Sequence, residues 1–321
     1  MFSLILRLVR LVLSSQKSKG IGIMVLPKQL DDLRQEIDRV DDAMHDLVMR
    51  RAAIVEEIGT LKGKSGGPLM RPGREAMILR RLAARHSGAF PFTVIARLWR
   101  EMISTLLRLQ GPFNLAIFVP DDEQEASKFR AIAREQYGHS TPMLACHSYG
   151  QVLKLVSEGK AAAGILPLPT HDEAQPWWPT LARGNNAPRV VARLPFVAEA
   201  PDRRTGIEAL VVAAMERDTT EDELTLLVID ASREISRGRI RSELEAVGLP
   251  LDHLAIAQDT GPDTSMHLLE VKGVALSNDA RLVEFLKKTK PNVQNIQIIG
   301  GYARPLIAPI PRNLKSEQVA S

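Results

Sequence analysis

From Leu30 onward the chain sets an apolar residue at every third and then every fourth position. The series runs Leu30, Leu33, Ile37, Val40, Met44, Leu47, then Arg51, then Ile54, Ile58 and Leu61. Alternating 3-4 spacing is a heptad seam, and it predicts one helix of roughly 32 residues, about 48 Å long at ~1.5 Å per residue. A helix of that length overruns a small domain and needs other long helices beside it, from a second copy of the chain. Lys62-Gly63-Lys64-Ser65-Gly66-Gly67-Pro68 ends it. A second helix is predicted over 72–86, stopped by Ser87-Gly88. A third is predicted over 91–110, with Ile95, Leu98, Trp99, Met102, Leu106 and Leu109 on one face and Gly111-Pro112 closing it. Long, short and long helix without a strand signal reads as one all-α domain.

After residue 112 the texture changes. Strand-like runs at 115–119, 142–146 and 161–166 alternate with helical ones at 123–136 and 149–158, which is an α/β unit. Residues 167–206 are rich in Pro, Trp and Asn-Asn and show little periodicity, and 209–215 is strand-like again. The last stretch reads strand 224–229, helix 237–247, strands 253–258 and 266–272, helix 279–287 and strand 293–299. That β-α-β-β-α-β order is the ferredoxin-like split βαβ. A length of 321 residues accommodates such a multidomain chain.

Composition narrows the classes. With 45% hydrophobic and 25% charged residues the chain is of the soluble globular kind. One cysteine, Cys146, leaves no disulfide framework and no multi-cysteine metal site, which fits a reducing cytoplasm. The net charge of +4 equals the charge of residues 1–23, which hold Arg7, Arg10, Lys17 and Lys19 and no acid, so the remainder is neutral. Without a basic folded surface, a nucleic-acid partner is not expected. The apolar run of residues 1–23 is interrupted by Arg7 and Arg10, too short and too charged to span a membrane, and it lacks the pattern of a secretory signal. It reads as an upstream extension or a mis-assigned start with Met24 as the true beginning; an amphipathic membrane-surface helix is the alternative.

Gly59-Thr60-Leu61-Lys62-Gly63-Lys64-Ser65 is one residue short of a phosphate-binding loop and follows a helix instead of a strand. No HxxxH, HExxH or CxxC spacing suggests a metal, and no nucleophile–histidine grouping stands out. Neither metal nor cofactor is expected.

The chemistry-bearing misfit is Arg51, a guanidinium inside the apolar seam. Left unpaired there it costs on the order of several kcal/mol. It is either half of a register-setting salt bridge or an anion site inside a helical bundle. Lys62 follows 11 residues later, about 16 Å along the helix and only about 20° around it, so the two cations could clamp a small dianion. Arg34 lies 17 residues before Arg51, about 25 Å away and about 100° off in azimuth. Only in an antiparallel pairing would Arg34 of one chain approach the Arg51–Lys62 region of another. Taken singly, Arg34 and Lys62 read equally as solvated surface charges.

Taken together, Leu33-Arg34-Gln35-Glu36-Ile37-Asp38, Arg50-Arg51, Ile58-Gly59-Thr60-Leu61-Lys62, Arg74-Glu75-Ala76 and Leu109-Gln110 resemble the all-helical chorismate mutases, in order and near-family spacing, over about 85 residues. The resemblance implies a three-helix bundle forming an intertwined homodimer and the pericyclic rearrangement of chorismate to prephenate. It also implies roles: Arg51, with Arg34 of the partner subunit, binding the carboxylates; Lys62 and Gln110 donating to the ether oxygen; Glu75 accepting from the ring hydroxyl; and Arg74 in an auxiliary substrate contact. Two positions depart from the family: an acid before the Arg-Glu pair falls on Arg71, and a small hydroxyl residue on the third helix falls on Leu106.

Residues 113–215 resemble a remnant of prephenate dehydratase, and 222–305 the ACT regulatory domain, whose family binds amino-acid effectors. The ACT likeness rests on Glu245-Ala246-Val247-Gly248-Leu249, His267-Leu268-Leu269-Glu270-Val271-Lys272-Gly273 and Ile298-Ile299-Gly300-Gly301-Tyr302. The dehydratase motifs fail: Val119-Pro120-Asp121-Asp122 replaces the glycine-rich opening, Pro169-Thr170 the Glu-Asn pair and Ile207-Glu208-Ala209 the Thr-Arg-Phe signature. About 40 residues between Thr170 and Glu208 are too few for a second lobe. In the ACT-like part, Gly238-Arg239-Ile240 and Ala257-Gln258-Asp259-Thr260 replace the ligand segments.

The expected organisation is an extension (1–25), a chorismate mutase (26–111), a degenerate dehydratase-like α/β region (112–217), an ACT-like domain (218–312) and a tail (313–321). The leading expectation is a cytoplasmic, cofactor-free mutase with a regulatory or assembly region. An interaction protein on an inactive bundle and a full mutase–dehydratase are the alternatives.

Overall fold

The computed structural model describes residues 29–65, 68–170, 175–184, 187–198, 207–259, 261 and 263–309. The extension 1–25 and the tail 313–321 lie outside them. The chain divides into two compact units, 1–54 and 55–321. The division falls inside the first helix, α1 (Leu30–Ser65).

In the first unit α1 starts with Asp31 and Asp32 in its opening turn, where carboxylates complement the helix dipole, and Asp32 accepts a bond of 3.1 Å from the Gln29 backbone N–H. The seam positions along the whole of α1, Arg51 aside, are exposed by 42–65%. Among the described residues nothing covers this contiguous apolar stripe, which is larger than a monomer surface ordinarily exposes.

The second unit continues with α2 (Pro72–Arg85) and α3 (Phe92–Gln110). Proline in the first turn of α2 gives up no helical hydrogen bond. Its N-cap, Arg71, makes no side-chain cap, and a distant acid does that work: the Arg74 backbone N–H donates to Asp218 at 3.1 Å. Arg80 then donates to the Asp222 carbonyl at 2.8 Å and the Arg304 carbonyl at 2.9 Å. Contacts spanning more than a hundred residues thus dock α2 on the C-terminal part.

The buried face of α3 corrects the sequence reading. Phe92, Ala96, Arg100, Ile103 and Leu107 turn inward with Ser104 and Leu106, while Leu98 and Leu109 are more than half exposed. Phe92 and Ala96 pack with Ala76, Leu79 and Phe196, and Ile103 and Leu107 with Phe113, Leu115 and Phe129. The stripe through Leu98 and Leu109 is a second apolar face, so spacing alone cannot tell which of the two the chain covers itself.

Then follow β1 (Leu115–Phe118), α4 (Glu123–Tyr137), β2 (Met143–Cys146), α5 (Tyr149–Ser157), β3 (Ala163–Pro167), α6 (Trp178–Arg183), β4 (Arg189–Leu194), β5 (Val197–Ala198) and β6 (Ala209–Ala213). Asp122 caps α4 and Ser148 caps α5 through their side-chain oxygens. The split βαβ module comprises β7 (Glu223–Ser232), α7 (Arg237–Ala246), β8 (Leu251–Asp259), β9 (Thr264–Lys272), α8 (Ala280–Thr289) and β10 (Val293–Ala303), followed by β11 (Leu306–Ile307).

Nine strands form one sheet, in the order β2-β1-β3-β6-β4-β10-β7-β9-β8. The first three are parallel, β6 runs antiparallel to β3 and β4, and β10-β7-β9-β8 pair antiparallel. The two halves meet where β4 and β10 pair in parallel at Val190 and Gly300. Gly300 has φ +144°, and a side chain there would run into the Val190 backbone. Behind that seam Arg193 donates to Tyr302 Oη at 3.3 Å and to Glu208 at 3.0 Å, and Tyr302 Oη donates to Glu270. A polar network therefore crosses the joint from both sides. Among the described residues no helix is long and apolar enough to cross a membrane.

Gly300→Ala is expected to cost about 3 kcal/mol, from the glycine-only backbone and overpacking against Val190. A urea midpoint unchanged from the parent chain would show that the seam relaxes freely.

Candidate active site

Arg51 occupies its seam position as a half-buried side chain, and its Nη1 is cut off from solvent without a hydrogen-bond partner. Desolvation pulls the guanidinium below the ordinary arginine range. A cation held that way is poised to receive an anion. Arg34 is exposed and donates to Asp31 at 3.0 Å one turn before it. An exposed pair of that kind contributes little and releases easily.

In the second unit Gln110, the last residue of α3, lies against α1. A Cβ on Gly59 would stand 3.1 Å from Gln110 Cγ, so glycine is what lets the amide come this close. Gln110 Nε2 donates to the Leu106 carbonyl at 3.3 Å, and its Oε1 is buried without a partner. Lys62 follows Gly59 by one turn on the same helix. The fold therefore brings Gln110 to the stretch of backbone that bears Lys62.

Glu75 is placed differently. It is 6% exposed, and its Oε2 accepts from Arg100 Nη1 at 2.6 Å, Arg100 being equally buried. Burial raises the Glu75 carboxyl above the usual range, opposed by the Arg100 charge, and burial lowers Arg100. Glu75 Oε1 has no partner. The neighbouring Arg74 side chain is exposed, and its backbone is spent on Asp218. Of the departures, Arg71 pairs with Asp218 at 3.5 Å and Leu106 is buried.

Arg100 was absent from the sequence reading. Its signal was of the same kind as that of Arg51, a charge inside an apolar stripe, here Phe92-Ala96-Arg100-Ile103-Leu107. The exposed stripe of α3 drew attention to the other face.

Arg51 Nη1 and Gln110 Oε1 are each buried without a hydrogen-bond partner. Residues 33–111 match the family model described as chorismate mutase type II. Over 145 residues the chain is 29% identical to a bifunctional chorismate mutase/prephenate dehydratase of Aquifex aeolicus, covering 44% of this chain and 39% of that one. It is 40% identical over 78 residues to the T-protein of Enterobacter agglomerans, 23% of this chain and 21% of that one. The chain spans about two fifths of the length of the bifunctional relatives it matches. The solved prephenate dehydratase of Streptococcus mutans is 13% identical with a TM-score of 0.42, covering 60% of this chain and 99% of that one.

Breaking the buried pair tests what it contributes. Arg100→Met should cost about 3–5 kcal/mol, because it leaves the Glu75 carboxyl uncompensated, and adding Glu75→Gln should restore part of that. Equilibrium unfolding of the four-member cycle measures it, and strict additivity would mean the two groups are not coupled.

Proposed function

We propose that this chain is a chorismate mutase, rearranging chorismate to prephenate without metal or cofactor, and that it works as a homodimer. The observation that carries the reading is Arg51. In a helix whose other seam positions are apolar, a family of dianion-binding enzymes accounts for a guanidinium held half-buried with an unpaired nitrogen.

The rearrangement is intramolecular, so the protein contributes by holding the compact conformer and by stabilising charge that develops on the ether oxygen. In the proposed site Arg51 of one chain and Arg34 of the partner grip the two carboxylates. Lys62 and Gln110 donate to the ether oxygen. Glu75 accepts from the ring hydroxyl through Oε1, the oxygen that Arg100 leaves unpaired, and Arg74 is an auxiliary contact. The uncovered seam of α1 supports the dimer, because pairing two such helices removes it from water.

We propose further that the C-terminal region assembles or regulates and carries out no dehydration. Positions where the dehydratases keep reactive groups serve the scaffold here. Glu208 takes a bond from Arg193, and its carbonyl accepts from the Leu168 backbone N–H at 3.2 Å. An amino-acid effector on the ACT-like module belongs to this proposal. A second reading, an interaction protein on an inactive bundle, is favoured by one observation: Glu75 is already engaged by Arg100.

Purified protein given chorismate should consume it, followed by loss of absorbance; no loss sinks the mutase. Arg51→Ala should reduce turnover by on the order of a hundredfold or more with the dimer intact, and full retained activity would make Arg51 structural. Phenylpyruvate should not form without acidification. Its formation at neutral pH would restore the bifunctional alternative.

A further inference from the structure

A cleft of about 270 Å³ opens between α3, α4 and the β5–β11 pair, entirely within the second unit. None of the residues proposed for the mutase site lines it.

Two of its walls hold buried polar groups with unspent capacity. Arg100 lines the cleft at 6% exposure, and of its five N–H groups one is bonded, to Glu75. Gln136 lines it at 8% exposure, and its side-chain amide makes no hydrogen bond. The unbonded nitrogens of Arg100 and the Gln136 amide keep contact with solvent, so a ligand acceptor there would take the place of water.

Arg97 stands one turn before Arg100 on the same face of α3, exposed and without an ion pair. The Arg100 guanidinium lies over the Phe196 ring, 5.3 Å from its centroid. Two arginines one turn apart form a carboxylate fork. Phe196, Ile132 and Ile207 supply the apolar floor. Across the cleft Glu135 is exposed and without a partner, so a second negative charge is repelled and an ammonium is tolerated.

We propose that this cleft binds a small monocarboxylate with an apolar body, its carboxylate on Arg97 and Arg100 and within reach of the Gln136 amide. This is a site separate from that of the mutase, whose ligand is a dianion.

Isothermal titration of the full chain tests it with three probes: 4-methylpentanoate, L-leucine, and 3-methylbutan-1-amine, which lacks the carboxylate. One saturable site per chain is expected for a carboxylate, and none for the amine. Retained affinity for L-leucine would assign its ammonium to Glu135, whereas binding of 4-methylpentanoate alone would assign a simple carboxylic acid. Arg97→Leu, at an exposed position the fold does not need, and Gln136→Leu should each weaken binding by about tenfold or more. Arg51→Ala should leave it unchanged, which separates this cleft from the mutase site and makes the outcome independent of chorismate turnover. Saturation by neither carboxylate, equal binding of the amine, loss of binding in Arg51→Ala, or full binding in both cleft variants would overturn the proposal.

Discussion

The second unit turns on a pair of charges with almost no access to water. Glu75 and Arg100 meet at 2.6 Å between α2 and α3, and both pay for burial in proton affinity. Such a pair holds together because neither partner can leave without stranding the other. It fixes α3 relative to α2 by direction as well as by proximity, which apolar packing cannot do. Arg100 also lies over Phe196 on the segment between β4 and β5. One guanidinium therefore ties both helices to the start of the small β5–β11 sheet, and Arg100 also lines the cleft.

The helices and most strands were legible because each carries a clean period. The 3-4 repeat of α1 and the continuous apolar run of β6 leave little choice of element. Between 167 and 206 the reading failed for physical reasons. α6 is six residues long, too short to show a helical period. β4, Arg-Val-Val-Ala-Arg-Leu, includes Arg189 and Arg193, whose guanidinium groups are taken up by the Ile298 carbonyl and the Tyr302 hydroxyl of β10. A charge satisfied by a residue more than a hundred positions away looks, in sequence, like a solvated one.

The same limit governs the site. Arg51 announced itself because it interrupts a long regular seam, and the family match to residues 33–111 agrees with the reading of that segment. Gln110 and Gly59 could be quoted as motif fragments, but that one packs on the other is a property of the fold. Glu75 was legible as a motif residue, while its bond to Arg100 was not, since 25 positions across two helices set no pattern. Asp218 is the extreme case. Nothing near it in sequence suggests that it closes the N-terminus of a helix 144 residues earlier.

That closure sets α2 apart from the segment the family match delimits. The family match ends at residue 111, yet its middle helix begins on an acid beyond residue 200 and its arginine at position 80 is anchored on carbonyls at 222 and 304. Excised at the family boundary, the fragment would bare Leu79, Phe92 and Ala96 to water and leave the opening amides of its second helix uncapped. The limits of the family match and the limits of the packing contacts lie in different places along this chain. The strands and turns beyond residue 200 serve as the support on which α2 is mounted.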